Sequence, residues 1–460
     1  MIASPSLTLT ITPPGGSPAQ YQGLLTYEGH QQQMTITQNF GRQGDTAVLP
    51  LTDEYLVTQN VLVPVMSRVR LYDGNCGQVL FAGVANDPCL SVTGTNRNEW
   101  TLNCTDYTCY ADSAIVHGIY NGWTTDQVII DLTQQANCGI TAASVADGGF
   151  VAPGPQMASF LLNYGSLSDA WRKLAVLAGS STPYGWYVDE NLALHFYDAT
   201  TAQDSGVTFT TSPAAGGSVT EGHILLDGQD KYEWDGTSIH NRVLVQGATQ
   251  TVAQPSTGPA TDTWQADGTQ QAWPLRYTVS GTPALLVNGV SVTVTSVTPG
   301  TAAPPSGWSS QQNAIGQYFL WNSVPPPAGT LLQAWYSYQV PVVAQATDYP
   351  STIEYAGPNG GVFAEFISDT TLTTAPMALM RAQQERTEYA FAAERFTFST
   401  SEDFLGWVRA GQTCRIVDRF IPDSQNAWST GIDDTFLVTA NTVTFAEGGY
   451  RQQQVTAVRL

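Results

Sequence analysis

The chain has 460 residues and a mass of 49.4 kDa, and at roughly 100–200 residues per domain this length makes three or four domains. Charged residues make up only 12%, and 38 Asp and Glu outnumber 17 Lys and Arg for a net charge of −21. This balance argues against a nucleic-acid binder or an anionic membrane surface as partner, and the 12 Trp, 20 Tyr and 16 Phe argue against disorder.

The 42 Gly and 26 Pro punctuate short alternating runs, so the chain reads as mainly β. In residues 1–110 the runs Leu7 to Thr12, Val69 to Tyr72 and Trp100 to Cys104 place apolar side chains on one face at period two, as a half-buried strand requires. Asp73-Gly74-Asn75 supplies turn chemistry between them. These strands belong to a first β-module over 1–110, expected to be completed by residues 206–250; the resemblance given below implies that it is a β-barrel. Residues 111–205 change character and form a small α+β domain. Thr124 with Gln127 reads as a capping box ahead of Val128, Ile129 and Leu132, and Cys138-Gly139 closes that helix. A second helix follows from Ser166 to Gly179, and Trp186 to Tyr197 reads as a hairpin turning at Asp189 to Asn191.

His240 to Gly247 is one strand, after which 251–262 is rich in Pro, Ser, Thr and Gly and reads as a linker. Residues 251–345 are expected to be an inserted β-sandwich or small barrel, with an Asn288-Gly289 turn. Residues 346–460 hold a helix over 375–393, capped by Thr374 with Pro376 in its first turn, and then a second barrel. Its strands fall at Arg395 to Phe398, Thr413 to Val417, Phe436 to Val438 and Val455 to Val458.

The two ends of the chain share a pattern. Val69 to Asp73 resembles Cys414 to Asp418, and Phe81 to Asn86 resembles Phe436 to Asn441. The interval of 19 residues from Phe81 to Trp100 recurs from Phe436 to Val455. The same β-module at both ends accounts for this, as does chance similarity between strands.

The sequence contains no G-x-S-x-G, G-x-G-x-x-G, P-loop or H-E-x-x-H motif, and no catalytic, cofactor-binding or metal-binding residue is assigned. His30, His117, His195, His223 and His240 are scattered, His195 as a strand-face residue and His240 at a loop end. Asp433-Asp434 and Glu402-Asp403 are the carboxylate pairs a glycosidase could use, but both read as solvated turns. Asp227, Asp230, Glu233 and Asp235 cluster without calcium-loop spacing. Trp335 to Tyr338 alternates as sandwich packing does, rather than as a sugar platform. Six cysteines without C-x-x-C spacing read as buried thiols from a reducing cytosol, a disulfide among Cys76, Cys89, Cys104 and Cys109 being the lesser alternative. The N-terminal stretch lacks a basic n-region and an apolar h-region, and no window approaches about 18 apolar residues, so neither a secretory leader nor a stable membrane anchor is expected.

The order of these elements resembles the baseplate hub or tail-tip hub proteins of long-tailed bacteriophages and related contractile injection systems. The stretches that carry the likeness are Val69 to Asp73, Val79 to Val84 and Trp100 to Tyr107; then Thr124 to Ile129, Ser166 to Ala170 and Trp186 to Asp189; then Asn241 to Gly247; and Met380 to Ala382 with Ala410 to Ile416. Many relatives show Pro-Gly where this chain has Ala410-Gly411. The resemblance covers most of the chain apart from about 251–345. It implies two tail-tube-like end modules and a homotrimer that presents six similar barrels, joining a sixfold tube to a threefold tip around the DNA exit channel. It further implies a structural virion protein without cofactor or enzymatic activity, made in the host cytoplasm. The implied neighbours are tail-tube or distal-tail ring proteins, the tape-measure protein and a central spike or fibre, with DNA passing without specific binding. Two other readings remain at this stage: an adhesin or carbohydrate-binding β-protein acting through 251–345, and a virion-borne polysaccharide hydrolase.

Overall fold

The structure, a computed structural model, describes residues 7–22, 33–40, 44–52, 63–92, 98–157, 159–179, 184–212, 218–225, 230–254, 258–297, 306–313, 316–357, 360–400, 404–423, 429–445 and 451–460. It divides into two units, one of Met1–Val243, Gln345–Glu365 and Met380–Leu460, the other of Leu244–Ala344 and Phe366–Leu379.

In the first unit the alternation of Leu7–Thr12 gives β1, its apolar side chains buried and its threonines half-buried. The strands β2 (Ala19–Gln22), β3 (Met34–Asn39), β4 (Thr46–Thr52), β5 (Ser67–Asp73), β6 (Gln78–Val92) and β7 (Asn98–Asp106) follow. They pair antiparallel in the order β2-β1-β5-β6-β7-β4-β3. Leu9, Ile11, Leu49, Leu71, Phe81 and Leu102 fill the core between them.

The α+β block comprises α1 (Thr108–Ser113), β8 (Ile115–Tyr120), α2 (Thr125–Ala136), β9 (Phe160–Ser166), α3 (Leu167–Ala178), β10 (Tyr184–Val188) and β11 (Leu194–Asp198). Thr124 and Gln127 form the expected capping box, and α2 ends one residue before the expected stop, on Asn137 at φ 45°. Ser166 Oγ accepts from the Asp169 N–H at 3.2 Å to start α3. Trp171 of α3 is fully buried, edge-on to Trp186 at 5.3 Å. In the β10–β11 turn Asp189 Oδ1 accepts from the N–H groups of Asn191 at 2.9 Å and Ala193 at 2.8 Å.

After β12 (Asp204–Thr210), β13 (Glu221–His223) and β14 (Lys231–Asp235), the chain enters the second unit through β15 (Arg242–Val252). There β16 (Asp262–Gln265), β17 (Ala272–Pro274), β18 (Thr278–Val287), β19 (Val290–Val292), β20 (Val294–Ser296), β21 (Trp308–Gln312), β22 (Tyr318–Asn322) and β23 (Leu331–Thr347) follow. Two sheets form. One is ordered β19-β18-β23-β15 and ends on β24 (Ala364–Ser368); the other is ordered β17-β22-β21-β20. They share a core of Trp273, Trp308, Leu320, Leu332 and Tyr336. Asn288 and Gly289 both take positive φ, 48° and 83°, the geometry an Asn-Gly hairpin turn requires. The expected linker is partly strand: Thr251 and Val252 end β15 and Asp262 begins β16.

Two helices flank β24, α4 (Tyr349–Glu354) and α5 (Ala375–Tyr389). The expected helix runs on to residue 393, but α5 stops at Tyr389. The Ala390 carbonyl takes the Ser351 hydroxyl, and Ala393 already pairs with Asp235 in β25 (Ala393–Ser399). The chain ends with β26 (Thr413–Asp423), β27 (Ser429–Phe445) and β28 (Arg451–Arg459).

These last strands repeat the first module. Its path β1-β5-β6-β7-β4-β3 has the counterpart β12-β26-β27-β28-β25-β14. One strand differs, since β1 runs antiparallel to β5 while β12 runs parallel to β26. Both long strands carry a bulge, between Ala85 and Asp87 in β6 and between Val438 and Ala440 in β27. With the bulges matched, Val69 corresponds to Cys414 as the sequence pattern has it. Phe436, however, corresponds to Gly83 rather than Phe81, and Val455 to Leu102 rather than Trp100. The 19-residue interval survives because both ends shift by two. A slip of two leaves every side chain on its own face, so apolar alternation cannot detect it.

Asn241, singled out by the sequence, is fully buried in the first unit and ties together two segments, 348–351 and 361–363. Its Nδ2 donates to the Gly361 carbonyl at 2.7 Å and the Ser351 hydroxyl at 3.2 Å, its Oδ1 accepts from the Phe363 N–H at 2.8 Å, and its own carbonyl accepts from the Asp348 N–H at 2.8 Å. Asn241→Ala strands buried donors and acceptors at about 1–3 kcal/mol each. Urea unfolding of this variant should show a lowered midpoint with an unchanged slope; a midpoint equal to wild type contradicts the role given to Asn241.

Candidate functional site: the joint between the two modules

The feature that organises the first unit is the shared strand β27. One edge of β27 pairs with β28 from Phe436 to Phe445. The other edge pairs with β26 from Ser429 to Leu437 and then, from Ala440 to Phe445, antiparallel with β3, Ala440 facing Asn39 and Phe445 facing Met34. The second half of β27 is therefore a strand of the first module, and Val443 and Phe445 lie in that module's core beside Met34 and Ile36. Phe40 N–H continues the ladder to the Thr439 carbonyl at 3.0 Å.

Buried ion pairs lock the joint. Arg451 at the start of β28 reaches Asp73 at the end of β5, Nη1 to Oδ2 2.8 Å, with the Asp73 side chain wholly buried and Arg451 nearly so. Arg451 Nη2 also donates to the Gly406 carbonyl, where Gln453 Nε2 donates at 2.9 Å. A second pair links Arg409 to Asp45, Nη2 to Oδ2 2.9 Å, and the Arg409 guanidinium lies 4.1 Å from the Tyr187 ring centroid of the α+β block. Burial raises the pKa of the Asp45 carboxyl despite the opposing pull of Arg409. Burial, with the Asp45 charge beside it, pushes Asp106 up to about 7 although Thr108 donates to both its oxygens. Next to them Tyr197 Oη donates to the Gly411 carbonyl at 2.7 Å, and Phe40 lies 5.4 Å from the Tyr197 ring. Gly411 has φ 94°, and a Cβ there would fall on the Tyr197 hydroxyl and the Phe40 ring, so the glycine is required by close approach. A third cluster closes the second module: Arg459 pairs with Glu394 at 3.0 Å, Asp423 at 2.9 Å and Asp434 at 2.8 Å.

The candidates read from sequence fall elsewhere and do not converge. Asp433 and Asp434 are not turn residues; both lie in β27, Asp433 held by Arg415 through two bonds of 2.7 Å and Asp434 by Arg459. Glu402, Asp403 and Asp227 lie outside the described residues. Glu233 and Asp235 sit in β14, Glu233 beside Lys231, and among the described residues no group of three or more His, Cys, Asp or Glu could hold a metal ion. His195 stacks between Phe150 and Tyr187, its Nε2 3.2 Å from Asp189, and His240 contacts Glu385 at 3.3 Å. Trp335 is buried, its Nε1 donating to the Gly258 carbonyl at 2.7 Å, and offers no sugar platform. The six cysteines are free; Cys104 and Cys414 are buried, but Cys89 is exposed, contrary to a uniform set of buried thiols. Sequence reasoning missed Arg451, Asp73, Arg409 and Asp45. Their pairing spans hundreds of residues; the only trace is the scarcity of Arg and Lys, which makes each buried arginine costly unless paired.

No protein-family profile matches the chain, and no curated protein matches it. Solved structures do. The 43 kDa tail protein of prophage MuSo2 from Shewanella oneidensis superposes with a TM-score of 0.54 over 99% of this chain and 98% of that one, at 12% identity. This chain has the fold of phage tail proteins. A tail protein from Neisseria meningitidis gives the same result, TM-score 0.51 over 99% and 97% of the two chains at 9% identity. The mainly β, multidomain tail fold that the resemblance implied is the fold observed. Among the described residues, no helix is long and apolar enough to cross a membrane.

Two outcomes test the joint. Asp73→Ala leaves the Arg451 charge buried and unpaired and should cost about 3–5 kcal/mol in urea unfolding; a loss under about 1 kcal/mol shows the pair to be dispensable. Asp106, with its pKa raised in the folded state, binds its proton more tightly there than when unfolded. Its contribution is therefore full below the unfolded value of 3.8 and is lost as the pH rises through about 7. Between pH 5 and 7.5 the wild type should lose more stability than Asp106→Asn, and parallel profiles would contradict the assignment.

Proposed function

We propose that this chain is a structural hub of a phage tail tip or baseplate. Three copies would present six similar β-modules in a ring, joining a sixfold tail tube to a threefold tip around the DNA exit channel. The observation that carries the reading is the pair of modules with matched strand order and matched bulges, fused by β27 within one chain. Such duplication gives pseudo-sixfold geometry to a threefold assembly. The partners that follow are tube or distal-tail ring proteins above, a tape-measure protein within and a spike or fibre below, in a virion without enzymatic demand on this chain. The division into end modules at 1–110 with 206–250 and at 346–460, an α+β domain at 111–205 and an insertion at 251–345 belongs to the same proposal. The insertion would sit outside the ring as an independent domain.

Light scattering of the purified chain at high micromolar concentration should give a trimer, or a monomer that joins a ring of tube protein. Deleting 255–343 with a short linker should leave that assembly intact. A strictly monomeric chain without affinity for tube protein overturns the reading, and a deletion that abolishes assembly returns the insertion to the core. The surplus of 21 negative charges fits a channel wall that repels DNA phosphates, acting within a Debye length of about 8 Å at physiological salt. Lysines in place of channel carboxylates should slow DNA ejection at low salt and spare it at high salt.

A further inference from the structure

The intrachain joint has an open equivalent, and it rests on the trimeric reading above. In β27 one edge is used twice, by β26 along its first half and by β3 along its second. In β6 the same edge is used once: β5 pairs from Gln78 to Ala85, and no described strand pairs it beyond the bulge. The complementary vacancy lies in the second module. β3 is held between β4 and β27, whereas its counterpart β14 pairs only with β25 among the described strands. The first module thus receives a completing strand segment from β27, and among the described strands the second module receives none.

We propose that the segment Asp87 to Ser91 of β6 pairs antiparallel with β14 of a second copy of this chain, reproducing the β27–β3 joint between protomers. The register follows from the two modules. Matched bulges place Asp87 at Ala440, Cys89 at Thr442, Leu90 at Val443 and Val92 at Phe445. The ladders of β4 on β7 and β25 on β28 place Lys231 at Thr35, Tyr232 at Ile36, Glu233 at Thr37 and Asp235 at Asn39. Carrying over the β27–β3 register then sets Asp87 opposite Asp235, Cys89 opposite Glu233, Leu90 opposite Tyr232 and Ser91 opposite Lys231 of the second copy. Residues Leu90 and Val92 are apolar where Val443 and Phe445 complete the first core. Tyr232, opposite Leu90 in this register, already packs against the second core while remaining partly open. Pro88 stands where Asn441 faces Gln38, so this joint has one N–H donor fewer than its model within the chain. Three such joints close a ring of six modules and leave neither edge open.

The register can be trapped. Cys89 is exposed and its position corresponds to a non-hydrogen-bonded pair, where Cα atoms stand about 4.5 Å apart, within disulfide range. The full-length Glu233→Cys variant, oxidised at high micromolar concentration, should give a covalent trimer on a denaturing gel. Wild type, Glu233→Cys with Cys89→Ser, and the register-shifted Lys231→Cys should not. Asp87→Asn removes a like-charge contact and should lower the dissociation constant about two- to fivefold. A chain that light scattering shows to be trimeric but that Glu233→Cys does not link overturns this joint and leaves the hub reading standing. A monomer that forms no covalent species overturns both.

Discussion

A β-strand has two edges, and each exposed edge is a row of unpaired N–H and C=O groups that must find a partner or remain a hazard. The first unit turns on how β27 meets this constraint. At 17 residues it is long enough to serve two ladders in succession on one edge, and it contributes Val443 and Phe445 to a core other than its own. Neither module is therefore a closed object. The buried pairs Arg451–Asp73 and Arg409–Asp45 tie residues of the second module to residues of the first across this shared sheet.

Those pairs are specific rather than strongly stabilising. Taking an arginine and a carboxylate out of water costs nearly what their attraction returns, and the larger effect is the penalty for separating them. A misaligned joint would leave Arg451 and Asp73 each buried without its partner, so the ion pair selects the register that backbone pairing alone would leave degenerate. In a chain where only 12% of residues are charged, placing scarce arginines at such points concentrates specificity at the joint.

Much of the local structure was legible because it rests on short-range physics. The capping box at Thr124 and Gln127, the Ser166 cap and the Asn288-Gly289 turn are encoded within a few residues. The repeat was legible too, though its register in two strands was displaced by two residues, an error invisible to a period of two. The joint was not legible. Asp73 and Arg451 are polar residues beside strand ends, a context that ordinarily means solvent, and nothing local marks them as partners across 378 positions. Asp433 and Asp434 misled for the same reason, since an acidic pair in sequence looks like a turn until arginines from neighbouring strands claim it. The fold likeness to phage tail proteins appears at 12% identity, which shows how little of the architecture depends on particular side chains.

The placement of β27 near the end of the chain has a consequence for biogenesis. As the polypeptide leaves the ribosome, β1 to β7 emerge early, but the segment that seals β3 and fills the core around Ile36 is among the last to be made. Throughout synthesis of the α+β block and the second unit, the first module holds an open edge and an unfilled apolar cleft, the condition under which nascent β-proteins pair wrongly with their neighbours on a polysome. Final closure by β27 is thus a long-range event of high contact order. It ties completion of the first module to the arrival of the second, so a truncated chain cannot present a finished first module.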